Sequence, residues 1–286
     1  MFMGRKKYLV ILLLVLLAGG IFLFLHMKGN AKKNAENEKQ EEEEEQLVEA
    51  EPEVKSLGIK MVIDSGHGGF DPGKVNSDGM IEKDINLQIA MKLKTELESQ
   101  GIEVIMTRDS DKGLYEETSK SKKMEDLQNR CKLIEETEPI CTISIHQNSF
   151  PDETVYGPQV FYYHTSESSA QLAQLVQDSL NTNLAIEKPR ETKNNQSYYM
   201  LKKSPSTTII VECGFLSNPT EAQKLSSEDY QAQIAAAIRQ GVMEYVTPLL
   251  AGNEQSGQST GDTSESESGT ELSESEQSAS SLSLQS

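Results

Sequence analysis

The chain has 286 residues, 36% of them hydrophobic, with 27 basic against 45 acidic side chains and a net charge of −18. The 19 basic and 28 acidic residues of positions 58–248 form no basic stripe, which argues against a nucleic-acid-binding surface. Cys131, Cys141 and Cys213 match no zinc-ribbon spacing; they read as buried free thiols, with a Cys131–Cys141 disulfide as the alternative in an oxidising compartment.

In chain order, residues 8–27 form a nearly unbroken apolar run behind Arg5, Lys6 and Lys7, long enough to span a bilayer. The run exceeds a usual signal-peptide core and no A-x-A site follows, so residues 1–27 are expected to be a retained transmembrane anchor rather than a cleaved leader. Lys28, Lys32 and Lys33 nearly balance the basic residues on the other side, so charge alone does not orient it. Residues 28–57, centred on five consecutive glutamates, read as an acidic linker, because such a block repels itself and buries nothing. Past Leu250 lie 12 serines, seven acids and no base, so residues 249–286 read as a disordered acidic tail. Residues 58–248 are left, the size of one domain.

Within that domain strands alternate with helices. Residues 59–63 predict a strand, and Ile85, Ile89, Leu93 and Leu97 recur at four-residue spacing in a helix over 84–100 that stops at Gly101. A strand over 102–106, a helix near 125–136 and a strand over 140–146 follow. Residues 159–163 predict a strand running opposite to the others, since only a short turn precedes it. A helix over 169–180, a loop over 197–201, a strand over 207–212 and a helix over 229–245 complete the series. The alternation predicts an α/β domain with a mainly parallel central sheet flanked by helices.

In such sheets, ligands gather at the carboxyl ends of the strands. His67 follows the first strand, Glu82 precedes the first helix, and His146 and Glu212 each close a predicted strand, so all four fall on one edge. Taken singly each has an ordinary explanation: a loop histidine, an acid favoured at a helix start, a structural histidine. Glu212 is the exception, since it closes the apolar run of 207–211, where a buried carboxylate is costly without a cation nearby. Two imidazoles and a carboxylate make a catalytic zinc set with one open position, and a second glutamate supplies a general base. No H-E-x-x-H helix and no G-x-S-x-G elbow is present, so metal-assisted hydrolysis with ligands from separate loops is the class that remains.

The ordered series DSGHGG (64–69), DPG (71–73), EKDINL (82–87), TRDSD (107–111), SIHQNS (144–149) and VECGFLSNP (211–219) resembles the zinc-dependent N-acetylmuramoyl-L-alanine amidases, over residues 60–246. The stretches at 125–134, 157–163 and 198–204 are most similar to the spore-cortex, germination-associated type. The resemblance implies an α/β sandwich, Zn2+ on His67, Glu82 and His146, and Glu212 as the catalytic glutamate. It also implies cleavage of the amide joining muramic acid to L-alanine in peptidoglycan, in spore cortex or wall remodelling, which sets the domain outside the membrane. With no wall-binding repeat in the sequence, either the anchor positions the domain or an activating protein partner does. Ser65 stands where the family more often has proline, and the acidic tail is not a family feature. Asn148 is a candidate substrate contact or loop cap; Arg108 and Arg130 are candidate partners for peptide carboxylates, or else structural. A zinc peptidase on the stem peptide would use the same four residues. A non-catalytic wall-binding module is disfavoured by the intact set.

Overall fold

The computed structural model describes residues 54–257. The apolar run at 8–27, nearly all of the acidic linker and the tail beyond 257 lie outside these described residues, and with them the expected anchor. Among the described residues no helix is long and apolar enough to cross a membrane.

A six-stranded sheet runs through the domain in the order β2-β1-β3-β6-β4-β5. Its strands are β1 (Lys60–Ser65), β2 (Glu103–Met106), β3 (Cys141–Asn148), β4 (Gln159–Tyr163), β5 (Lys193–Asn195) and β6 (Thr208–Phe215). Neighbours pair in parallel except β4 with β6, so the sheet is mixed, with β4 and β5 running against the rest. The helices are α1 (Glu82–Glu98), α2 (Lys122–Thr137), α3 (Glu167–Asn183), α4 (Tyr199–Lys203), α5 (Pro219–Leu225) and α6 (Glu228–Gly257).

The period-two alternation of the central strands gives the sheet two unlike faces. Met61, Ile63, Ile143, Ile145, Ile209 and Val211 point into the larger core, where they meet Ile89 and Leu93 of α1, Val176 and Leu180 of α3, and Ile234 and Ile238 of α6. Each such side chain taken fully out of water stabilises the fold by about 1.5–3 kcal/mol. The opposite face carries Val62, Phe161 and Ile210 against Ile134 of α2 and Met200 and Leu201 of α4. Asp64, Thr142, Ser144, His146 and Glu212 alternate with the apolar set and share this second face, so the polar side chains and the smaller helical layer lie together.

Boundaries moved where propensity is weak. α6 runs past the expected end at 245 and through Pro248, because Val246 and Leu250 continue the apolar stripe against the core. β5 is three polar residues with no period to read, and α4 replaces the expected loop at 197–201. α5 carries a start signature in the sequence: Asn218 Oδ1 accepts the Glu221 N–H, with proline at the first turn.

Candidate active site

β1 ends in a turn that no ordinary side-chain sequence would follow. His67 has φ of 61°, and Gly68 and Gly69 continue at 130° and 58°, all outside the right-handed region. Two buried arginines hold that path. Arg108 Nε donates to Ser65 O and His67 O at 2.9 and 2.7 Å, and its Nη2 to Gly66 O and Lys83 O. Arg130 donates to Ser65 O and His67 O at 2.8 and 2.6 Å, and pairs with Asp64 and Asp126. Both candidate carboxylate binders are thus committed to the loop that carries His67, and neither lines the cleft described below.

The turn delivers His67 Nε2 to 3.2 Å from Glu82 Oε1, and β3 delivers His146 Nδ1 to 3.1 Å from the same oxygen. One donor atom from each of the three residues lies within 4.8 Å of the others. Glu82 opens α1 with its side chain turned inward, where Oε2 accepts the Lys74 N–H at 2.8 Å and Oε1 the Gln147 N–H at 3.1 Å. Asp71 Oδ2 stands 3.0 Å from His67 Nδ1 and 3.3 Å from Lys123 Nζ, the carboxylate–imidazole support that fixes a metal-binding ring. Asp71 falls in the DPG stretch, but sequence alone gave it no role.

Two glycines make room for the set. A Cβ on Gly66 would stand 2.3 Å from the His146 ring, and one on Gly73 would stand 2.5 Å from Glu82 Oε2 and 2.7 Å from His67 Cδ2. Three converging donors, a supporting carboxylate and a cradle that excludes even a methyl group fit a bound divalent cation. Electrostatics point the same way. Burial lowers the His67 pKa, but hydrogen bonds from Asp71 and Glu82 outweigh it and push the imidazole up to about 9. Burial raises that of Glu82, and the two imidazoles outweigh it, holding the carboxyl well below its usual range. The cluster is an anionic cup that a proton fills when no cation does.

Glu212 pairs with His146 across β3 and β6, so both side chains leave the same face one strand spacing apart. It is only 8% exposed, and its Oε2 has no hydrogen-bond partner. Burial pushes its carboxyl up to about 7, Glu82 adds to the rise, and His146 and His67 oppose it. His67, Glu82, His146 and Glu212 line a cleft of about 380 Å3 with Asn148, Lys123, Tyr198 and Met200. Asn148 Oδ1 accepts the Ser149 N–H, as a loop cap would, while the residue also lines the cleft. Tyr198, packed on Phe161 at 5.5 Å between ring centroids, is a rim residue that the sequence did not single out. His164 follows the last residue of β4, which runs antiparallel to β6, so it sits toward the edge of the sheet opposite Glu212.

Three further observations concern the scaffold. Ser144 Oγ donates to Asp64, tying β3 to the Arg130 network directly beneath the cleft. Ser65 Oγ is buried without a partner. The three cysteines are free, and burial pushes the Cys141 thiol up to about 12.

A family model described as N-acetylmuramoyl-L-alanine amidase matches residues 61–244, which hold the whole cleft. The chain belongs to that family. Over 188 residues the amidase is 38% identical to the germination-specific N-acetylmuramoyl-L-alanine amidase of Bacillus subtilis, covering 65% of this chain and 78% of that protein. It is 29% identical to the amidase LytC of the same organism over 191 residues, which are 36% of that protein. Among solved structures, the CwlD amidase of Clostridioides difficile in complex with the GerS lipoprotein matches with a TM-score of 0.65 at 38% identity, over 67% of this chain and 100% of that one. The chain is therefore an N-acetylmuramoyl-L-alanine amidase, and the cleft lies within the residues that the family model matches.

Proposed function

We propose that the amidase works with zinc on His67, Glu82 and His146, with Glu212 as its proton carrier, in the peptidoglycan of the spore cortex. The observation that carries the zinc reading is the single oxygen, Glu82 Oε1, facing both imidazole nitrogens beside a buried glutamate with a free oxygen. Zinc bound there would acidify a water and polarise the amide carbonyl. Glu212 as a carboxylate takes the proton of the attacking water and passes it to the alanine nitrogen as the C–N bond breaks. Asp71 keeps the His67 ring oriented, and the peptide N–H groups of Lys74 and Gln147 hold Glu82 in place.

The cortex assignment draws on the likeness to the germination-specific relative. A protein partner draws on the matched structure being a complex with a lipoprotein. We place the catalytic domain on the outer side of the membrane behind an anchor at residues 1–27; the apolar run at 8–27 and the location of the substrate support this. Mass spectrometry of peptidoglycan digested by the full-length protein with zinc tests the reading. Stem peptides released with a free L-alanine amine support it, and a cut elsewhere in the peptide replaces it with the peptidase alternative.

A further inference from the structure

Beside the catalytic cleft lies a second groove of about 400 Å3, and the two share Asn148 and Tyr198 as a common wall. Its lining is aromatic and cationic: Phe161 and Phe215, with Arg190 and Lys193, and not one carboxylate. That is unexpected in a domain with nine more acids than bases. The register of β6 builds the groove. Between His146 and Asn148 two steps of β3 pair with three of β6, and the extra residue brings Phe215 to the side that Glu212 already faces.

Arg190 lies over Phe215, its guanidinium carbon 5.1 Å from the ring centroid. Nη2 donates to Gln159 Oε1 at 3.3 Å and Nη1 to Tyr156 O at 3.2 Å, but the buried Nε has no partner. Gln159 is in turn the residue of β4 that pairs with Glu212. One side chain and one strand spacing therefore separate the guanidinium from the catalytic glutamate. Lys193 Nζ, 6.0 Å from the Phe161 ring centroid, is an exposed second cation at the same groove.

We propose that this groove is the stem-peptide subsite, in which Arg190 and Lys193 bind a carboxylate of the peptide downstream of the L-alanine. The inference rests on the amidase reading of the adjoining cleft. Of the two halves of the substrate, the glycan half is uncharged around the scissile bond, whereas the second residue of the peptide half, joined onward through its side-chain carboxyl, keeps a free α-carboxylate. A planar guanidinium braced on an aromatic ring is the donor such a group takes. The groove thus sets the direction of the substrate, peptide toward β4 and β5 and sugar toward the opposite rim. It also makes amidation of the second residue, which replaces a carboxylate with a carboxamide, a determinant of which walls are cut.

The test compares two released peptides, identical except for a carboxylate or a carboxamide on the α-carbon of the second residue, by titration calorimetry on the full-length protein with zinc. The carboxylate form is expected to bind about tenfold more tightly, the scale of one charge-assisted contact. Arg190→Gln is expected to bring that ratio close to one. Lys193→Glu, at an exposed position that does not threaten folding, is expected to reduce it as well. Equal binding of the two peptides by the wild type, or an undiminished ratio in both variants, overturns the subsite. Release of L-alanine amine from muramoyl peptides is followed in parallel. Discrimination in binding without release would count against the amidase reading and leave the subsite standing; release without discrimination would do the reverse.

Discussion

Gly66→Ala adds one methyl group at the point where the metal cup has no slack. The backbone of Gly66 is not left-handed, so alanine meets no conformational penalty there. The new Cβ would lie 2.3 Å from His146 Cε1 and Nε2 and 2.7 Å from Nδ1, against 3.4 Å for ordinary contact. Relieving this takes a displacement of about 1 Å in the ring, several times the roughly 0.2 Å tolerance of a coordination bond. Zinc affinity is expected to fall at least about 100-fold, with overpacking costing a further ~1–3 kcal/mol of stability. Competition with a chromogenic chelator measures the first, and urea denaturation the second. Gly79→Ala is the control: φ is +81° but no atom lies within 4 Å of its Cβ, so it should lose stability and keep zinc. If Gly66→Ala binds zinc within threefold of wild type, the fit of the glycine cradle to a metal is wrong.

Other perturbations separate the groups around the cup. Glu212→Gln should retain zinc and lose about 10²–10⁴-fold in turnover. Burial holds this carboxyl at about 7 in the metal-free site, so kcat/KM should fall as pH drops from there, with zinc drawing the limb lower, and the limb should vanish in the variant. His67 is protonated up to about 9 without metal, so zinc binding at pH 7.5 should release about one proton, seen as a buffer-dependent heat. Arg130→Met leaves Asp64 buried without its cation and should cost about 3–5 kcal/mol in urea denaturation. In the wild type, burial raises the Asp64 pKa, but Arg130 and Ser144 outweigh it and hold the carboxyl at about 2 against 3.8 unfolded. Its contribution of about 2 kcal/mol is thus present above pH 4 and lost as pH falls through 2, which acid titration of Asp64→Asn should show.

The sequence made the four site residues legible because each lies at or near an end of an element with a strong period, although β3 and β6 run on past the expected ends at His146 and Glu212 to Asn148 and Phe215. His146 and Glu212 follow apolar runs whose alternation fixes their face, and the order of strands then puts both on one edge. The reversed direction of β4 agrees with the expectation but not with its ground, since ten residues separate it from β3 and the strand it pairs with in reverse is β6. What stayed hidden depends on contacts between distant segments. Asp71 gains its role only where the turn at His67 folds back, and Tyr198 only where five residues of α4 pack under Phe161. Arg108 and Arg130 read as braces before ligand binders, and their donors, which point at main-chain oxygens, bear the brace reading out. The groove at Arg190 needs an inserted residue in β6, and a bulge leaves no periodic trace.

Arg108 and Arg130 grip Ser65, Gly66 and His67 by their carbonyls, a group that every amino acid possesses. The fastening is thus indifferent to the identity of what it fastens. Of the residues around His67, Ser65 can vary without the imidazole losing its place, whereas Gly66, Gly68 and Gly69 are held to glycine by the atoms that an added Cβ would meet. A serine at position 65 is the kind of residue such an anchorage permits, whereas Gly69, with φ of 58° and Tyr115 Oη 2.3 Å from any added Cβ, is not free to change.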